Sequence, residues 1–325
     1  MTRTATPRLT PEGIARAAEG IAPVFRNTPV VRHDDLDAWL GTQVHCKVES
    51  LGPLRSFKGR GGDWFMRQRA SREPVCAASA GNFGQALAWA AREAGVHCTM
   101  FASVHASPLK IARMRALGAN VFLRGEDFDA AKDAAREFSA SEGIEFVEDG
   151  RALAISEGAG SIAVELAAVV ELDTLLVPLG NGALLAGVAT WMKSVAPATR
   201  VVGVVAEGAP AMLHALTGIQ VDQHASVQTI ADGIAVRVPV PEAVEDLRGL
   251  PDDLVAVRED AIHAAMRGLL SHLGLVIEPA GAVGIAALLS APHFTYGERV
   301  GTILCGGNVS VEQMTSWGVL RPAVG

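Results

Sequence analysis

Short apolar runs alternate with stretches of helical spacing along the chain, and this alternation restricts the fold more than any other feature. The runs are Val44–Val48, Val75–Ala78, Cys98–Phe101, Asn120–Leu123, Ile144–Val147, Thr174–Pro178, Val201–Val205, Leu254–Val257 and Val300–Leu304. Several of them are continuously apolar, as strands buried on both faces should be. Helical spacing covers Asn82–Glu93, Asp127–Ser141, Ser156–Val169, Ala183–Lys193, Glu259–Leu273 and Ala282–Leu289. An earlier helix should start at Thr10, a capping residue followed by Pro11 in the first turn. Alternating βα units predict an α/β fold with mostly parallel sheets covered on both faces. In such sheets, ligands sit beyond the carboxyl ends of the strands. The units from Val75 to Val147 form a compact run, with hinge-like loops near Glu73–Pro74 and Asp149–Arg151. The expected division is therefore a small domain, 75–149, set into a larger discontinuous one, 1–74 and 150–325.

Composition narrows the class. Of 325 residues, 49% are hydrophobic, enough for a sizeable core, and the net charge of −7 argues against nucleic acid or an anionic membrane as partner. Cys46, Cys76, Cys98 and Cys305 are scattered, without the short spacings of a zinc or redox motif. The nine histidines show no metal-ligand spacing. With no apolar signal core at the N-terminus and no membrane-length apolar run, a reduced, cytoplasmic location is expected.

Four segments could carry chemistry. LGNGALLAG, Leu179–Gly187, follows a strand and opens a helix, so its amides could cradle a phosphate; the same glycines also fit an ordinary packing turn. ASAGNFGQALA, Ala78–Ala88, would present amides and Asn82 at a helix start, which suits a carboxylate, though Ser79 and Asn82 also fit simple capping. In ESLGPLRSFKGRGGDW, Glu49–Trp64, Lys58 stands beside Phe57 among glycines. A desolvated amine there could form a Schiff base, whereas most lysines are plain surface residues. In ILCGGNVS, Ile303–Ser310, Cys305 fits either a structural thiol or a weak donor to a ring nitrogen. Together the four meet the needs of a pyridoxal-phosphate enzyme acting on an amino acid.

The same segments resemble the fold type II pyridoxal 5'-phosphate family, above all the serine/threonine dehydratases and serine racemase. The similarity runs in order through SFKGRG (Ser56–Gly61), SAGNFGQ (Ser79–Gln85), PLGNGALLAG (Pro178–Gly187), GVVAEGAPAM (Gly203–Met212), TIADGIAV (Thr229–Val236), EPAGAVGIAALL (Glu278–Leu289) and CGGNVS (Cys305–Ser310). It implies two open twisted α/β domains with the cofactor in the cleft between them. Lys58, beside Phe57, would hold the cofactor and then remove the substrate's α-proton. Asn82 would bond the cofactor's phenolic oxygen. Ser79, Ala80, Gly81, Asn82 and Phe83 would form the substrate loop, binding the carboxylate chiefly through backbone. Gly180, Asn181, Gly182, Ala183 and Leu184 would surround the phosphate, and Cys305 would face the pyridine nitrogen. A thiol there leaves the ring neutral, which favours prompt β-elimination over long-lived carbanion chemistry. With no acidic side chain in SFKGRG, SAGNFGQ, PLGNGALLAG or CGGNVS, the cofactor phosphate is the expected acid for the departing hydroxyl.

Departures from the family pattern are informative. Ala80 stands where serine racemase has its second acid/base serine, which favours a dehydratase. Phe83 replaces a histidine common in threonine dehydratases, so a bulkier β-hydroxy amino acid, such as phenylserine or hydroxyaspartate, stays open beside threonine and serine. Glu207 and the Ala211 carbonyl match a cation site, but Leu213 replaces an aspartate, leaving a monovalent ion at most. The chain stops after the catalytic region, so a regulatory extension is expected to be absent. The expected activity is conversion of L-threonine or L-serine to a 2-oxo acid and ammonia, by a homodimer. A β-replacement synthase is the alternative on the same fold.

Overall fold

A computed structural model describes residues 7–291 and 295–320. Its strands are β1 (Val30–Val31), β2 (Gln43–Val48), β3 (Val75–Ala78), β4 (Cys98–Ala102), β5 (Asn120–Leu123), β6 (Glu145–Phe146), β7 (Thr174–Pro178), β8 (Arg200–Ala206), β9 (Asp253–Val257) and β10 (Arg299–Leu304). They form two sheets, one ordered β1-β2-β10-β7-β8-β9 and the other β5-β4-β3-β6. Every pairing is parallel except β1 against β2. The predicted α/β fold is the one observed. Several of the apolar runs are central strands, and every residue of β3 and β7 is buried.

Helices cover both faces of the larger sheet. Asp34–Leu40, Glu259–Leu273 and Pro279–Ser290 pack on one side, Leu153–Ala167 and Ala183–Val195 on the other. The smaller sheet carries a core of its own, centred on Val75, Leu87, Met100 and Met114. The first helix runs Pro11–Gly20, with the Thr10 hydroxyl accepting from the Gly13 amide. Among the described residues, no helix is long and apolar enough to cross a membrane.

Several elements lie outside the sequence expectations, among them the helices Asp34–Leu40 and Pro108–Ala116. β1 has no counterpart among the expected strands; two residues carry no periodicity, and the strand exists only by pairing with β2. The segment after Lys58, left out of the expected helices, is a helix, Lys58–Gln68. Its glycines serve close packing against neighbouring helices.

Candidate active site

Lys58 opens the helix Lys58–Gln68, and that helix is held by backbone contact with its neighbours. A Cβ on Gly61 would lie 2.7 Å from the Ile155 carbonyl oxygen, and one on Gly62 would lie 2.9 Å from that of Ala86. On the facing helix, a Cβ on Gly158 would come within 2.6 Å of the Arg60 carbonyl oxygen. The start of the helix is stitched to the segment after β10. The Phe57 amide donates to the Cys305 carbonyl at 3.0 Å, and Ser56 bridges to Gly306. Pairing of β2 with β10 thus sets Lys58 beside Cys305.

The Lys58 ammonium lies 2.6 Å from Asp149 Oδ2 and 4.7 Å from the centre of the Phe57 ring. Lys58 and Asp149 side chains are only 14% and 10% exposed, so the pair is largely out of water. Asp149 Oδ1 is buried and accepts no hydrogen bond from the described residues. Cys305 is buried, and burial, helped by the nearby Glu278, pushes its thiol far up, so it stays a neutral thiol at physiological pH.

β3 leads into the helix Asn82–Ala94 through the turn 79–81. The Ser79 hydroxyl accepts from the Gly81 amide (3.1 Å) and the Gly84 amide (3.0 Å), which fixes the turn. The Asn82 side chain donates to Glu278 Oε1 at 2.6 Å and accepts from Asn308 Nδ2 at 2.8 Å. Glu278 also accepts from the Asn308 amide. Burial, with repulsion from Asp232, pushes the Glu278 carboxyl up to about 7.

β7 leads into the helix Ala183–Val195, whose N-cap is Gly182 at φ +98°, a conformation that suits glycine. The first amides of a helix have no intrahelical acceptor, and the helix dipole adds positive charge there. Gly180 is backed so closely that a Cβ would sit 3.0 Å from the Gly233 carbonyl oxygen.

These parts surround one cleft of about 620 Å³. Phe57, Lys58, the turn 79–83, the loop 180–184 and Cys305 all line it. Ion pairs flank the cleft: Lys110 with Asp232, and Arg237 with Asp127 and Asp129. A side cavity of about 60 Å³ adjoins it, lined among others by Ser79, Phe83, Phe128, Lys132 and Asp149.

The family described as "Pyridoxal-phosphate dependent enzyme" matches residues 21–306. The chain belongs to the pyridoxal-phosphate dependent enzymes. Similar curated proteins include the L-threonine ammonia-lyase of Thermotoga maritima, 33% identical over 94% of this chain and 77% of that protein. L-threonine dehydratase catabolic TdcB of Staphylococcus aureus is 30% identical over 93% of this chain and 90% of that protein. Among solved structures, the processed threonine deaminase isoform 2 of Solanum lycopersicum superposes with a TM-score of 0.87 at 26% identity, covering 99% of this chain and all of that one. Maize serine racemase gives 0.86 at 26% identity, over 95% of this chain and 96% of that one.

The residues present suit the cofactor of a pyridoxal-phosphate dependent enzyme. A sheltered primary amine can bind its carbonyl, helix N-terminal amides can hold its phosphate, and a neutral thiol in the same cleft suits a ring nitrogen that needs no proton. The cleft volume lies in the usual range for ligand sites, roughly 300–1,000 Å³. Glu207 and Ala211 lie apart from the cleft: Glu207 is exposed after β8, and Ala211 opens the helix Ala211–Thr217. Among the described residues, no cluster of three His, Cys, Asp or Glu could hold a metal ion.

Three site residues escape the sequence reading. Glu278 and Asn308 lie inside the singled-out segments EPAGAVGIAALL and CGGNVS, but nothing local shows that they meet Asn82. Asp149 sits in a stretch that reads as a hinge, and only the fold brings it to Lys58.

Proposed function

We propose that this chain is an ammonia-lyase that removes water from a β-hydroxy amino acid, L-threonine or L-serine, releasing a 2-oxo acid and ammonia. The observation that carries this reading is the meeting of a sheltered lysine, a carboxylate-ready turn, a phosphate-ready helix start and a neutral thiol around one cleft. Pyridoxal phosphate, when bound, supplies a conjugated electron-withdrawing system that acidifies the bond between Cα and its hydrogen. Lys58 anchors it and, as a free amine, takes the α-proton. Amides at 180–184 hold the phosphate, and amides of the turn 79–83 hold the substrate carboxylate. The Ser79 hydroxyl, occupied within the turn, acts by shaping it. Asn82 is aligned by Glu278 and Asn308 to present its remaining amide hydrogen to the cofactor oxygen. Cys305 keeps the ring nitrogen unprotonated, which favours quick loss of the β-substituent. Ala80 supplies no acid or base for a second face of Cα, so racemisation is disfavoured.

The division into a small domain, 75–149, and a large one, 1–74 and 150–325, is part of the proposal; the smaller sheet draws its strands only from Val75 to Phe146. So are a homodimer, a cytoplasmic location and a monovalent cation at Glu207 and the Ala211 carbonyl. Sedimentation checks the homodimer, and a test of activation by potassium checks the cation.

The decisive experiment is a 2-oxo acid assay on purified protein with pyridoxal phosphate. L-Threonine, L-serine, threo-3-hydroxyaspartate and threo-phenylserine are compared, with Lys58→Ala as control. Product from L-threonine or L-serine, abolished in the control, is expected. A nucleophile adduct in place of a 2-oxo acid would overturn the reading in favour of β-replacement.

A further inference from the structure

Asp149 is the one acidic side chain within bonding distance of the Lys58 amine, at 2.6 Å, among the described residues. Its carboxylate is used on one side only. Oδ2 takes the lysine, while Oδ1 is buried, lacks a partner and belongs to a residue lining both the cleft and the adjoining side cavity. A buried carboxylate oxygen without a donor is costly, and its neighbours here do not relieve it. Glu148 takes Lys132 at 2.6 Å, and the Ser79 hydroxyl is occupied by two amides. Asp149 Oδ1 therefore calls for a donor that arrives with a ligand.

The reaction restricts what that donor is. A base that removes the α-proton must come within reach of Cα. The β-oxygen of the substrate lies two bonds from Cα. A carboxylate in contact with the base is thus in reach of the β-hydroxyl, on the side where the cavity beside Phe83 and Phe128 leaves room. We propose that Asp149 is a substrate-contacting residue that accepts a hydrogen bond from the substrate's β-hydroxyl and so selects β-hydroxy amino acids over their deoxy analogues. The inference rests on the dehydratase reading and deepens it. The contact orients the bond between Cβ and oxygen without itself moving a proton. A site built to pair a hydroxyl discriminates strongly against an analogue that leaves its buried partner unpaired.

The test uses two ligands that lack an α-hydrogen and therefore bind without reacting: α-methyl-L-serine and 2-aminoisobutyrate, which differ by the hydroxyl alone. Each is titrated into the cofactor-loaded enzyme and followed by cofactor absorbance. Wild type should bind α-methyl-L-serine at least about tenfold more tightly, the scale of a hydrogen bond to a charged group. Asp149→Leu should bring the ratio of the two dissociation constants close to one, and Asp149→Asn should fall between. Because each ratio is taken within one protein, general damage to the variant cancels. A wild-type ratio near one, or a preference that survives in Asp149→Leu, would overturn the inference. Failure of the dehydratase reading shows differently, as wild-type enzyme that makes no 2-oxo acid from any β-hydroxy amino acid.

Discussion

Glu278 accepts hydrogen bonds from the Asn82 side chain and the Asn308 amide, and burial together with Asp232 pushes its carboxyl up to about 7. A carboxyl held that high makes stability depend on pH with a definite sign. Below about pH 4.5 the group is protonated in folded and unfolded chains alike. Between about 4.5 and 7 the unfolded chain has released its proton while the folded one keeps it, so stability falls as pH rises. The loss across that window amounts to roughly 3 kcal/mol at 1.36 kcal/mol per pH unit. The substitution Glu278→Gln imitates the protonated form at every pH. Urea midpoints of wild type should therefore decline from pH 4.5 to 7 relative to those of the variant. Parallel curves would mean that Glu278 is ionised throughout and that Asn82 is held by a charge.

At the level of elements, glycines decide where Lys58 stands. The helices Lys58–Gln68, Asn82–Ala94 and Leu153–Ala167 meet backbone to backbone at Gly61, Gly62 and Gly158. Gly158→Ala would press a methyl onto the Arg60 backbone, where no flexible side chain can yield. Overpacking of this kind costs roughly 1–3 kcal/mol, and here it also displaces the helix that begins with Lys58. A lower melting temperature and weaker cofactor retention are expected together. Gly81→Ala is the contrast: a Cβ there meets nothing within 4 Å and φ is −122°. Thermal melting should change little, while the KM for the amino acid rises, because the methyl stands in the turn that lines the cleft. Equal destabilisation by both substitutions would contradict this assignment. The same glycines limit what the sequence discloses. Buried strands such as β3 and β7 are legible because both faces are apolar, and the βα alternation reveals the sheets. KGRGGDWFMRQ does not read as a helix because glycine disfavours helix locally, and only tertiary packing reverses that preference. Lys58, Asn82, the loop 180–184 and Cys305 are legible as motifs. Asp149 is not, since a lone aspartate in a loop gains meaning only from its distance to Lys58.

Across the whole molecule, a buried ionic cluster ties the N-terminal segment, β2 and two helices into one body behind the cleft. Arg60, fully buried, donates to both oxygens of Glu49 and both of Glu165, and also to Thr28 and Ser161. Lys47 donates to Glu165 and to the Thr28 carbonyl, each at 2.6 Å. Two cations thus face two carboxylates, and the cluster is neutral only as a set. Burial pushes the Glu165 carboxyl up, but bonds from Arg60 and Lys47 outweigh it and hold it at about 2. Its contribution is therefore complete above about pH 4.5 and disappears as pH falls toward 2, on the opposite side of neutrality from that of Glu278. Breaking one partner of a buried pair leaves a charge uncompensated and typically costs about 3–5 kcal/mol. Glu165→Gln leaves Lys47 and Arg60 facing Glu49 alone, and Lys47→Met leaves two carboxylates facing Arg60. Each single variant should lose stability on that scale in urea denaturation at pH 7. The double variant restores a neutral set of one cation and one carboxylate, so it should be clearly more stable than the two single losses added together. If the losses simply add, the four groups act as independent contacts, and the coupling that binds these elements behind Lys58 is absent.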